Sequence, residues 1–135
     1  MLYAILCYHD ENLVWSWSKE EDAALMDKIG GVRAKLTRQG KLGASLRLMP
    51  TTAATTLRKN QEPPLVIDGP FAETKEQLLG FYILDVENLE AALDAARQIA
   101  AVNPGGAFEI RPIAVFNPDE RQGVAQSTIK SAVAT

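Results

Sequence analysis

Val66-Ile67-Asp68-Gly69-Pro70-Phe71-Ala72-Glu73-Thr74-Lys75-Glu76-Gln77-Leu78-Leu79-Gly80-Phe81 sets a charged turn between two apolar, β-favouring runs. Asp-Gly and Gly-Pro are turn chemistry: aspartate accepts from amides two residues on, glycine supplies positive φ, and proline fixes the φ that follows. The stretch reads as strand, turn, strand. Three carboxylates (Asp68, Glu73, Glu76) and the Lys75 ammonium sit between the strands, on backbone held from both sides.

Upstream, residues 42–49 and 54–58 read as strands separated by Pro50, residues 60–64 close the second, and residues 65–67 form the short strand entering the turn. Downstream, residues 79–86 are strand-like. Asn88 is a good N-cap for a helix that carries Leu89, Ala92, Leu93, Ala96 and Ile99 inward and stops at Asn103-Pro104-Gly105-Gly106. Residues 108–116 make the last strand, and Pro112, which cannot donate to a ladder, must face an edge or a bulge.

The N-terminal run, residues 2–8, is continuously apolar, as expected of a central strand covered on both faces. His9, Asp10 and Glu11 end it, and Trp15 and Trp17 follow in a polar linker as cover for a pocket or a dimer contact. Ser18-Lys19-Glu20-Glu21 is a capping box. The helix it opens has an apolar stripe of Leu25, Ile29, Val32 and Leu36, and Gly40 closes it. Gly30-Gly31 interrupts that helix, and close approach of a neighbouring backbone would explain the pair.

The element order is β, α, β, a hairpin insertion, β, α, β, the split βαβ or ferredoxin-like α+β pattern, with one antiparallel sheet and both helices on one face. The opposite face is left bare, so a homodimer packed sheet to sheet is expected. The domain spans residues 1–116, and residues 117–135 form a tail that is mobile or lies on the partner subunit.

Composition narrows the function classes. A net charge of −3 and a pI near 5.2 provide no broad basic surface for phosphate backbones, so nucleic acid is not an expected partner. The single cysteine, Cys7, excludes an internal disulfide and any multi-cysteine zinc site, and it lies in an apolar run where burial makes it inert. No metal and no cofactor are expected. The absence of a basic leader and of any apolar stretch near the roughly 18 residues of a membrane span leads to the expectation of a soluble, cytoplasmic protein.

At the turn, Asp68 and Glu73 are the candidate proton-moving groups. Lys75 and Arg47 are candidates for holding an anionic group and Glu76 is a further substrate-binding candidate, with Phe71 and Tyr82 as apolar walls that would shift a carboxylate towards neutral pKa. Each has a plainer reading beside it: Asp68 as turn chemistry alone, the 73–76 run as a solvated charge face. His9, the only histidine, is a third candidate acid or base, with Asp10 to fix its tautomer. Adjacent strand residues point to opposite faces, so a surface or capping histidine is the simpler reading. Glu109 and Arg111 share a face of the last strand and are expected to pair.

The run Asp68-Gly69-Pro70-Phe71-Ala72-Glu73-Thr74-Lys75-Glu76 with Gly80-Phe81-Tyr82-Ile83-Leu84 resembles the signature of the DGPF proteins, a branch of the YCII-related superfamily. Residues 3–11 and Glu109-Ile110-Arg111-Pro112 extend the resemblance over residues 1–114. It implies a ferredoxin-like fold that dimerises as an α+β barrel, an active-site cluster near the signature, and, for some members, a link to sigma factors. It implies no particular reaction. The superfamily's His-Asp pair places a histidine near the start of the first helix, where this chain has Lys19, Glu20, Glu21 and Asp22. The expected function is therefore a small-molecule acid-base enzyme of lyase or isomerase type with its pocket near Asp68; the alternative is a noncatalytic dimer that binds a small ligand or serves transcription.

Overall fold

The computed structural model describes residues 1–119 and Arg121. The expected tail over residues 117–135 lies, from residue 120 onward and Arg121 apart, outside the described residues. In chain order the elements are β1 (Leu2–His9), α1 (Glu11–Val14), α2 (Lys19–Arg38), β2 (Leu42–Arg47), β3 (Thr55–Arg58), β4 (Leu65–Asp68), β5 (Gln77–Asp85), α3 (Leu89–Ala101) and β6 (Ala107–Pro112). The four-stranded sheet has the order β2-β5-β1-β6 with every neighbouring pair antiparallel, and β3-β4 forms a separate two-stranded sheet. This is the ferredoxin-like α+β arrangement with a hairpin inserted between β2 and β5.

Alternation along β1 assigns the two faces. Tyr3, Ile5 and Cys7 are buried, with Leu36 of α2 and Ala92, Ala95, Ala96 and Ile99 of α3 in the same core. Leu2, Ala4, Leu6 and Tyr8 point the other way and are only half-buried, so the apolar run that reads as doubly covered is covered on one face within a single chain. Phe81, Ile83, Glu109 and Arg111 lie opposite Leu6 and Ala4 in register and belong to that open face. β6 is an edge strand and Pro112 is its last residue, which satisfies the proline constraint.

Local chemistry sets the helix ends. Ser18 and Glu21 form the reciprocal capping box of α2, and the Asn88 side chain accepts from the Ala91 amide at the start of α3. Gly40 adopts φ 71° just beyond α2. Two expectations are corrected. The linker after β1 contains the helical turn α1, capped by the Asp10 carboxylate, which accepts from the Asn12 amide at 3.0 Å. Gly30 and Gly31 have nothing within 4 Å of where a β-carbon would stand, so no neighbouring backbone explains them. The close approach occurs instead at Gly80 of β5, where a β-carbon would collide with the Leu46 carbonyl of β2.

Candidate functional site

Between the first half of α2 and the sheet lies a cavity of about 290 Å³. Its existence follows from small residues on the sheet floor. Cys7, Ser45 and Gly80 occupy helix-facing positions there, and none reaches far towards α2. Leu25 and Ile29 of α2, with Phe108 and Tyr82 of the sheet, form apolar walls, while Trp17, His9, Arg33 and Arg47 stand around them.

His9 ends β1 and is held on two sides. Its Nδ1 accepts from the Asp10 amide at 2.9 Å, which leaves the proton of a neutral ring on Nε2. The opposite edge lies against the Gly105-Gly106 turn, where both glycines have positive φ (79° and 75°) and a β-carbon on Gly105 would be 2.6 Å from Nε2. The Asp10 carboxylate is committed to the α1 cap, so His9 and Asp10 do not form an imidazole-carboxylate pair.

Arg47 is tied down at the end of β2. Its Nη1 is 3.2 Å from Asp22 Oδ1, and its guanidinium lies 4.8 Å from the centroid of the Trp15 ring. Arg33, in contrast, has no carboxylate within 4.0 Å among the described residues. Burial raises the Tyr82 phenol pKa, the neighbouring Cys7 raises it further, and the Arg33 charge draws it part of the way down. Burial pushes the Cys7 thiol up to about 12, so it is no nucleophile near neutral pH.

The signature segment lies elsewhere. Asp68 ends β4 and is exposed, as are Phe71, Glu73, Lys75 and Glu76, and none of the five lines the cavity. The turn is held through its backbone groups by one backbone and two side-chain partners: the Gly69 amide donates to Ala54 O at 2.7 Å, Thr56 Oγ1 to Gly69 O at 2.8 Å, and Arg58 Nη2 to Phe71 O at 3.0 Å. Thus the fold brings His9, Arg47 and Tyr82 to one cavity and leaves the charges of the signature exposed at the end of the inserted hairpin and in the segment that follows it. Glu109 and Arg111 pair with each other at 3.7 Å on the open face.

Two residues at or near the cavity are not singled out by the sequence reading. Arg33 follows Ile29 by four residues, which places it on the same α2 stripe; that spacing was the available signal. Glu11 is the one charged residue buried among those described, and it clamps the cavity's surroundings. Its carboxylate accepts from the Thr51 amide at 2.9 Å and from the Thr51 hydroxyl, and its own amide donates to Gln77 Oε1 at 3.0 Å. Gln77 in turn donates to the Thr74 carbonyl, so the end of the signature is stitched to α1. Among the described residues no three His, Cys, Asp or Glu side chains group to hold a metal ion, and no helix is long and apolar enough to cross a membrane.

The fold and cavity define a ferredoxin-like α+β protein with an arginine- and histidine-bordered hollow on its helical side. The chain belongs to the YCII-related domain family, whose model matches residues 1–117. It is similar to an uncharacterized protein of Rhizobium meliloti (strain 1021), 53% identical over 121 residues, which are 89% of this chain and 98% of the relative.

Proposed function

We propose that this YCII-related protein is a small-molecule acid-base enzyme of lyase or isomerase type, with its site in the cavity beneath α2. The observation that carries this is the positioning of His9 beside an apolar hollow. The ring is oriented through Nδ1 by the Asp10 amide, and its Nε2 edge sits beside Gly105, which also lines the cavity, so Nε2 is the nitrogen left to donate a proton or hydrogen bond to a ligand oxygen. Tyr82 and Arg47 frame the ligand. Asp68 and Glu73 stand outside the cavity of a single chain, so a proton-moving role for them belongs to an assembly in which the hairpin meets another subunit.

That assembly is a homodimer through the open sheet face. Leu6, Phe81 and Ile83 present apolar surface there, the inserted hairpin exposes Leu57, Leu65 and Val66, and the segment after it exposes Phe71. A two-stranded hairpin with so little covered is marginal alone in water, and a second copy supplies cover to both surfaces. Sedimentation should give a dimer for the native chain and a monomer for Phe81→Glu. A monomeric native chain refutes the assembly.

Catalysis is tested by screening small organic acids for thermal stabilisation, then following each binder by proton NMR in D₂O. Exchange of a carbon-bound proton or conversion is expected, slowed at least about a hundredfold in His9→Gln with binding retained. Full turnover in that variant ends the assignment. The absence of a carboxylate base from the cavity lining among the described residues favours a second reading, a noncatalytic ligand-binding dimer, and a binder recovered unexchanged would support it.

A further inference from the structure

Charge is distributed unevenly between this chain and its cavity. The sequence holds 17 acidic residues against 14 lysines and arginines, yet among the described residues the cavity is lined by two arginines, a histidine and no aspartate or glutamate. The two arginines are not equivalent. Arg47 is shared between Asp22 and the face of Trp15, so its positive charge is largely answered within the protein. Arg33 meets no carboxylate within 4.0 Å among the described residues.

We infer that the cavity selects a small monocarboxylate with an apolar body, and that Arg33 is the residue that binds its charge. This rests on the reading of the cavity as a small-molecule site. Helix geometry directs Arg33 there: side chains on a helix lean towards its N-terminus, so the Arg33 stem runs over the turn of Ile29, which is buried in the cavity wall. The stem adds apolar wall while the guanidinium stays at the wet mouth. Arg33 and Tyr82 both line the cavity, and the Arg33 charge draws the phenol pKa part of the way down, so a fork of N–H donors and an O–H donor can meet the same carboxylate.

The body of the ligand then lies along Ile29, Leu25 and Phe108. A hollow of about 290 Å³, the liquid volume of about ten waters, suits a single aromatic ring or a short branched chain rather than a nucleotide. One guanidinium without a carboxylate partner among the described residues calls for one negative charge.

The experiment is calorimetric titration of the full chain with benzoate and with benzamide, its neutral isostere, in low salt. Benzoate should bind the native protein about tenfold or more tightly than benzamide. Arg33→Gln should abolish that preference, weakening benzoate far more than benzamide, Arg33→Lys should restore part of it, and Arg97→Gln, at an arginine outside the cavity lining that pairs with Glu90, should keep it whole. Arg33 is exposed, so these variants are expected to melt with the native chain, which circular dichroism checks. Equal binding of the two probes to the native protein, or a preference that survives Arg33→Gln, overturns the charge assignment. If both probes bind equally and both are lost in the cavity-filling Ser45→Trp, the small-molecule site stands while the carboxylate selection falls. Failure of both probes to bind the native chain overturns both.

Discussion

No β-carbon fits between the α-carbon of Gly80 and the carbonyl oxygen of Leu46. The obstacle is backbone on the neighbouring strand, with the Arg47 α-carbon beside it, so no side-chain rotation relieves the clash. Gly80→Ala must push β2 away from β5 at the cavity floor. We expect a loss of about 1–3 kcal/mol, read as a lower urea midpoint with an unchanged slope. An alanine variant as stable as the native chain would show that the strands separate freely there.

Gly30 and Gly31 should respond in the opposite sense. Both lie inside α2 with open space where a β-carbon would stand. Alanine at either position removes unfolded-chain freedom and meets no obstacle, so Gly30→Ala and Gly31→Ala should each stabilise by about 0.4–1 kcal/mol. Thermal melts of the two single variants test this, and a fall in melting temperature for either would reveal a constraint on the glycine pair that packing does not show.

What could be read from the sequence is what neighbouring residues dictate. The Ser18–Glu21 box, the Asn88 cap and the edge position of Pro112 each follow from chemistry within a few residues, and they suffice to order the elements into the split βαβ pattern. The turn at Asp68-Gly69 is equally local. Where its charges point is not, because β3 and β4 leave the main sheet and all four residues of β4 are exposed. α1 is too short for an apolar period and announces itself only through Asp10. The buried carboxylate of Glu11 depends on Thr51, 40 residues away, and no local pattern reports such a partner.

That pairing has its own consequence. Glu11→Ala strips the Thr51 amide and hydroxyl of their acceptor and leaves both beside a new gap. The expected loss is about 1–3 kcal/mol, with Thr51→Val losing less because the amide keeps its carboxylate. A double-mutant cycle on Glu11 and Thr51 should show coupling of about 0.5–3 kcal/mol. Additive losses would mean that the two residues stabilise the crossing independently.

Cys7 links stability to alkaline pH. Burial moves its thiol from an ordinary 9.0 to about 12 in the folded chain. Below pH 9 the thiol is neutral in both states and contributes no pH dependence. Between about 9 and 12 the unfolded chain releases a proton that the folded chain retains, so the unfolded state binds fewer protons and stability falls as pH rises, by up to about 1.4 kcal/mol per pH unit. The Tyr82 phenol, also raised by burial, acts in the same direction at the upper part of this range. Cys7→Ala should therefore show a shallower decline than the native protein in urea midpoints taken between pH 8 and about 11, and native Cys7 should resist iodoacetamide at pH 8 until urea exposes it. Identical alkaline slopes in the two proteins would mean that water reaches the thiol in the folded state, and rapid alkylation without urea would say the same.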